Sequence, residues 1–260
     1  MSEQHPHDAF RPCVLIPVYN HEHAVAATCQ ALREALGLPI LLVDDGSDRE
    51  CAGVLDALTA EDDVRLLRLA HNGGKGRAVR EGLSHAAALG YSHALQVDAD
   101  GQHDSASLAP FIDAGRRHPT CLMIGYPRFD HSVPWLRFAS RYITHLWVWG
   151  NTLSIRLRDT MCGVRLYPLA AINALLARHA CGDRMEFDTE VLVRWFWQGG
   201  AVDNLPVRVR YPVDGVSHFR LLRDNLLMAR MHLRLTAGML RRLPSLLARR
   251  SATPAGEEQR

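Results

Sequence analysis

The chain has 260 residues, 47% of them hydrophobic, and its 30 basic and 28 acidic side chains leave a formal net charge of +2. That length buries a sizeable core without disulfide or metal staples, and no nucleic-acid partner is expected. The six cysteines (13, 29, 51, 121, 162 and 181) form no C-x-x-C pair, so neither a zinc site nor a disulfide framework is indicated and a reducing cytosol is expected. The first ten residues lack the apolar core of a signal peptide, and no run of about 18 apolar residues offers a spanning helix.

Residues 12–18, Pro-Cys-Val-Leu-Ile-Pro-Val, read as a buried parallel strand ended by Tyr19-Asn20. Apolar positions at helical spacing (Val25, Cys29, Leu32, Leu36) predict a helix over 22–36 closed by Gly37. His21-Glu22-His23 reads as a solvated helix start, because adjacent residues on a helix point apart and chelate poorly. A second buried strand, 39–43, ends in Asp44-Asp45-Gly46-Ser47. Then follow a helix over 50–59, a strand over 64–69, the loop Asn72-Gly73-Gly74-Lys75-Gly76, a helix over 77–89 and a strand over 93–97. Such a βαβα series implies a mostly parallel α/β sheet whose ligands bind at the carboxyl ends of the strands. The loop opens a helix there, so its amides and Lys75 suit a phosphate or a sugar, although the Walker spacing is absent.

The strand 93–97 breaks at Asp98-Ala99-Asp100-Gly101-Gln102, which brings two carboxylates and an amide oxygen out together. Mg²⁺ or Mn²⁺ takes such oxygen ligands and leaves its other positions to water and substrate phosphates. Asp98, Asp100 and Gln102 are therefore the candidate metal ligands.

Taken in order, Pro17-Val18-Tyr19-Asn20, Asp44-Asp45-Gly46-Ser47, Asn72-x-Gly-Lys75-Gly76 and Asp98-x-Asp100-Gly-Gln102 resemble the family-two inverting glycosyltransferases of GT-A fold, and within them the dolichyl-phosphate mannose synthase branch. The resemblance spans residues 12–215. It implies a nucleotide-diphosphate sugar donor, with Pro17, Tyr19, Asn20, Glu22 and Asp45 lining the nucleoside pocket and Asp98, Asp100 and Gln102 around the metal; on chemical grounds Lys75 or Arg165 adds positive charge for the departing diphosphate beside Asp98. The family usually carries an acid directly after the asparagine; here His21 stands there and Glu22 follows. A sugar-phosphate nucleotidyltransferase, or a binding protein that has kept the fold, are the rival readings.

Beyond the shared core, Ser105 is expected to cap a helix to residue 117, and 121–124 to form a short strand. Residues 133–149 mix Trp135, Tyr142, Trp147 and Trp149 with Arg137, Arg141 and His145, which suits either a helix at a lipid headgroup boundary or a core helix. Asp159 and Arg165 straddle Cys162-Gly163, close enough for an ion pair; the resemblance places them on the acceptor side. Glu186, Asp188 and Glu190 open a helix to residue 198. The resemblance makes Asp188 the candidate catalytic base, with Glu190 second. A strand over 202–209 and a loop over 211–218, able to close over the donor, complete a catalytic domain over 11–217.

From 218 to 247, arginines 220, 223, 230, 234, 241 and 242 flank leucines at three- and four-residue steps, with Gly238 and Pro244 limiting a continuous helix. This pattern suits a helix lying in an anionic membrane interface, at the cytoplasmic leaflet where a lipid acceptor resides, or one packed on the domain or a second subunit. Flexible tails are expected over 1–10 and 248–260.

Overall fold

A computed structural model describes residues 10–128, 135–209 and 221–252. The loop 211–218 and most of both expected tails lie outside the described residues; residues 248–252 are helical instead. Seven strands form one sheet: β1 (Pro12–Val18), β2 (Ile40–Asp44), β3 (Val64–Arg68), β4 (His93–Gln96), β5 (Leu122–Arg128), β6 (Arg165–Pro168) and β7 (Val202–Arg208), in the order β3-β2-β1-β4-β6-β5-β7. All pairings are parallel except those of β6, which runs antiparallel to both β4 and β5. The eight helices among the described residues are α1 (Glu22–Leu36), α2 (Arg49–Leu58), α3 (Lys75–Ala88), α4 (Ala109–Arg117), α5 (Trp135–Thr152), α6 (Leu169–Arg178), α7 (Glu186–Trp197) and α8 (Leu221–Ala252).

Strand alternation divides the core in two. Cys13, Leu15, Leu41 and Val43 face α3, α6, α7 and α8, whereas Val14, Ile16, Ile40 and Leu42 face α1, α2 and α4. All eight are at most 1% exposed. A sheet covered on both faces explains why these strands read as continuous apolar runs.

Three expectations change in detail. Asp104, not Ser105, makes the cap: its side chain accepts from the Ala106 amide over a 3₁₀ turn that precedes α4. The short strand β6 and the helix α6 were not foreseen. The helix α8 passes through both Gly238 and Pro244 as one 32-residue element. Gly238 fits because α8 packs there on Trp197, so that a Cβ would stand 2.8 Å from the indole. At Pro244 one backbone donor is lost, which a packed helix tolerates.

Candidate active site

The carboxyl ends of β1, β2 and β4 meet where the strand order reverses, the place where open α/β sheets bind ligands. Asn20, held at φ +50°, ties two loops together: its amide donates to Ser47 Oγ and its side-chain oxygen accepts from the Asp48 amide. Pro17, Tyr19 and Glu22 stand half-buried beside it. Glu22 Oε2 is buried with no hydrogen-bond donor among the described residues. Asp44 serves structure, accepting from the Ser47 amide and pairing with Arg68.

Asp45 changes the reading of the glycine loop. Its two oxygens accept from the Gly73 and Gly74 amides at 2.8 and 2.7 Å, so these donors are engaged by a carboxylate and do not await a phosphate. Burial raises the Asp45 carboxyl, against the two amides that lower it. Gly74 adopts φ +104°, a conformation open to glycine, and from it α3 starts two residues earlier than the apolar pattern suggests. Lys75 is thereby the first residue of α3.

The Lys75 ammonium lies 2.7 Å from Asp98 Oδ1 and 3.2 Å from Asp188 Oδ2. Burial opposes its charge, but Asp188 and Asp98 outweigh that and hold it protonated well above the ordinary lysine value. Burial likewise opposes the Asp98 charge; Lys75 and then His103, 3.8 Å away, overcome it and hold the carboxyl below the usual range. Asp100 is raised, by burial first and by the Asp98 charge second. Its Oδ1 accepts from the Gln102 amide at 3.0 Å, which folds Asp98, Asp100 and Gln102 into one short turn.

On the opposite wall Arg165 is wholly buried, on the unforeseen strand β6. It donates to the carbonyls of Asp188 and Thr160 at 2.7 and 2.8 Å, and Tyr167 Oη, 3.3 Å away, continues the network to Gln96 on β4. Its Nη1 also stands 3.2 Å from Asp188 Oδ1. Asp188 therefore lies between two cations.

Asp159 and Arg165 do not pair with each other. Asp159 accepts from Arg141 at 2.5 and 2.8 Å and from the Met161 and Cys162 amides at 2.8 Å each, with His145 Nε2 at 3.4 Å. Burial works against its charge, yet His145 and Arg141 hold the carboxyl well below its ordinary value. Arg141 and His145, four residues apart on α5, share one helix face, which is why both reach the same carboxylate. The other face of α5 exposes Tyr142, Ile143, Leu146 and Trp147. Between it and α8 runs an apolar groove of about 300 Å³, lined by Ile143, Leu146, Trp147, Asn151, Thr236 and Met239.

The helix α8 is bound to the domain more firmly than its sequence shows. Met231, Leu235 and Leu246 are buried, Arg234 pairs with the wholly buried Glu190 at 3.0 Å, and Arg242 lies 4.8 Å over the Trp197 ring. Glu190 also accepts from Arg194 and the Gly182 amide and is a structural anchor. Arg223, Arg230 and Arg241 are exposed, with Leu226, Leu233, Leu240 and Leu247 at seven-residue intervals.

The residues at the β4 edge fit a hard divalent cation. The donors are carboxylate oxygens; Asp98 Oδ1 is buried without a regular hydrogen bond; and a Cβ on Gly163 would come within 2.0 Å of Asp98 Oδ2, so this glycine leaves the carboxylate its room. Among the described residues no three acidic, histidine or cysteine side chains converge into a complete cage. That suits a metal sharing its coordination with a substrate diphosphate. Gly163 and His103 were missed as site residues because nothing local in the sequence marks them. All six cysteines are free and buried, and burial pushes the thiols of Cys13, Cys162 and Cys181 up to about 12, so none of these three is a nucleophile. Among the described residues no helix is long and apolar enough to cross a membrane.

Comparison with known proteins agrees with this architecture. The chain is 27% identical over 176 residues to the undecaprenyl-phosphate mannosyltransferase of Micrococcus luteus, covering 64% of this chain and 69% of that one. It is 32% identical over 107 residues to the polyprenol monophosphomannose synthase of Mycolicibacterium smegmatis, 40% of either chain. Among solved structures, the glucosyl-3-phosphoglycerate synthase of Mycobacterium tuberculosis, crystallised with Mn²⁺, UDP-glucose and phosphoglyceric acid, superposes with a TM-score of 0.63 at 14% identity, over 89% of this chain and 80% of that one. The fold is thus GT-A. The profile of Glycosyl transferase family 2 matches residues 13–178, more than half of the sequence, and the chain belongs to that family, in its dolichyl-phosphate mannose synthase-like branch.

Proposed function

We propose that this glycosyltransferase moves a sugar, with inversion, from a nucleotide diphosphate to a polyprenyl phosphate at a membrane surface. The observation that carries the acceptor class is the setting of Asp188. A base that deprotonates a hydroxyl needs a free oxygen facing its substrate. Here the Asp188 oxygens stand 3.2 Å from Lys75 Nζ and 3.2 Å from Arg165 Nη1 on a side chain only 8% exposed, so both face buried cations as counter-ions even though Oδ1 makes no hydrogen bond of regular geometry. A phosphate acceptor is already an anion and needs no base, only cations to hold it. In this reading Asp188 positions Lys75 instead of abstracting a proton. The names of the two curated relatives, one for undecaprenyl phosphate and one for a polyprenol monophosphate, support the same class.

A divalent cation, Mg²⁺ or Mn²⁺, held by Asp98 and Asp100 with Gln102 close by, supplies neutralisation of the charge that gathers on the leaving diphosphate. The chain's own residues do the rest. Tyr19, Asn20 and Glu22 frame the nucleoside end, where the orphaned Glu22 Oε2 suits a ribose hydroxyl. Lys75 adds positive charge near the phosphates, and buried Arg165 fixes the Asp188 backbone from behind. The acceptor phosphate oxygen attacks the anomeric carbon from the face opposite the departing diphosphate; that C–O bond forms as the donor C–O bond breaks, and the electron pair leaves on the diphosphate. The groove between α5 and α8 suits the isoprenoid chain, and the exposed leucines and arginines of α8 suit an anionic bilayer at the cytoplasmic leaflet.

The test is transfer of radiolabelled sugar, from a panel of nucleotide sugars with Mn²⁺ or Mg²⁺, to undecaprenyl phosphate and, separately, to undecaprenol. Label in the organic phase with the phosphate alone is expected. Transfer to the free alcohol at a comparable rate would overturn the acceptor assignment.

A further inference from the structure

Lys75 stands where a cation belongs. Its ammonium bridges Asp98 and Asp188, residues on two separate elements, and meets Asp98 Oδ1 closer than any other charged group does. We infer that Lys75 is an internal counter-ion that occupies the metal carboxylate of the empty enzyme, so that the divalent cation enters only together with the donor diphosphate. The inference rests on the metal reading above and adds an order of binding to it.

Three observations carry it. First, the position is a poor one for a lysine on local grounds. Lys75 opens α3, where the unpaired amides make the helix end positive, and Gly74 before it gives no side-chain cap. Asp45 and the Asp183 carbonyl take up some of the amides there, but the ammonium itself is offset by Asp98 and Asp188, so its placement serves the site more than the helix. Second, the contact is ionic: Asp98 Oδ1, itself buried, makes no hydrogen bond of regular geometry, while the Lys75 and Asp98 side chains as wholes are 20% and 24% exposed, so the pair borders the crevice. A pair intended only for packing would be sealed, as Arg165 is. Third, an exit exists. Asp188 Oδ2 is the second partner, on a side chain only 8% exposed, so the ammonium can leave Asp98 while keeping Asp188. A metal on Asp98 with the ammonium still at 2.7 Å would set like charges side by side within the same carboxylate's reach. An incoming diphosphate removes that conflict, because it gives both cations additional anionic oxygens.

The inference predicts weak binding of the bare metal by the wild-type protein. The experiment is Mn²⁺ titration without nucleotide, read from the electron paramagnetic resonance signal of free Mn²⁺, for the wild type, Lys75→Met, Lys75→Arg, Lys75→Met/Asp98→Asn and Asp98→Asn, each checked for folding by thermal melting. Lys75→Met should bind Mn²⁺ at least tenfold more tightly than the wild type; Lys75→Arg, which keeps the charge, should stay weak; and the double variant should lose the gain. If Lys75→Met folds and binds no more tightly than the wild type, the counter-ion role falls, and with it the binding order. If it does bind more tightly but the double variant binds equally well, the metal lies elsewhere, and the metal reading itself fails. Should Lys75→Met not fold, Lys75→Gln takes its place and the same comparisons decide.

Discussion

Arg234 on α8 donates to Glu190 on α7 at 3.0 Å, and Glu190 is one half-turn from Asp188. Three donors, from Arg234, Arg194 and the Gly182 amide, converge on this fully buried carboxylate. Glu190→Ala empties a fully buried carboxylate site and leaves the half-buried Arg194 and Gly182 donors without their acceptor, which should cost about 2 kcal/mol. Arg234→Ala, whose side chain is more than half exposed, should cost under about 1 kcal/mol. Urea denaturation of the two variants checks the contrast, and equal losses would contradict the anchoring role of Glu190.

Gly163→Ala puts a methyl group against the Asp98 carboxylate. Since that side chain has to turn away, metal-dependent transfer should fall on the order of 10²-fold, while the melting temperature changes by only a few degrees. Steady-state kinetics beside a thermal melt measure both, and retained activity would show that Asp98 need not hold its present place.

Asp100→Asn should abolish turnover and leave the fold intact, because a strand-end residue contributes little to the core. Chelation of the wild type should have the same effect, reversed by added Mn²⁺. Activity undiminished in chelator would remove the cation from the reaction.

Asp159 makes stability depend on pH. A carboxyl held below its unfolded value stabilises the fold in full above that value, about 4, and the contribution is lost as pH falls through the folded value. At pH 7, Asp159→Asn should be destabilised by about 3 kcal/mol. Below about pH 4 the gap from the wild type should narrow. A gap constant with pH, in denaturant melts across this range, would mean that the charge of Asp159 is not what stabilises.

Membrane attachment is best tested on the exposed leucines. Removing the chain from residue 219 onward would take Met231, Leu235 and Leu246 out of the core, so loss of binding would mean little. Leu233→Glu and Leu240→Glu alter side chains that are 66% and 60% exposed. With Arg223, Arg230 and Arg241 exposed, each contributing about 1 kcal/mol near an anionic surface, the wild type should co-sediment with anionic vesicles, less so in high salt. Each variant should bind more weakly. Equal recovery with neutral and anionic vesicles would refute the electrostatic part.

The parallel half of the fold was legible because strands buried on both faces, such as 12–18, announce themselves by composition, and the polar motifs must then fall at their carboxyl ends. The strand β6 was not legible: Arg165-Leu-Tyr-Pro168 carries a charge and a phenol into the sheet, where the partners Asp188 and Gln96 come from distant segments. The same limit explains the error at Asp159. Sequence proximity pointed to Arg165, six residues away, whereas the helix periodicity of α5 delivers Arg141 and His145. The six arginines of 218–247 look alike in sequence, yet packing engages two of them with the domain: Arg234 pairs with Glu190 and Arg242 lies over Trp197.

Through Asp159, α5 is wired to the metal edge by a path of very few atoms: Arg141 and His145 grip its carboxylate, the carboxylate grips the Met161 and Cys162 amides, and the next residue, Gly163, lies against Asp98. A helix whose outer side is greasy and whose inner side is pinned this way acts as a gauge. In the proposed reaction it would set how high the acceptor phosphate stands above whatever α5 rests on, so that an acceptor with a longer or shorter polar head would be expected to miss the anomeric carbon even with its tail held equally well.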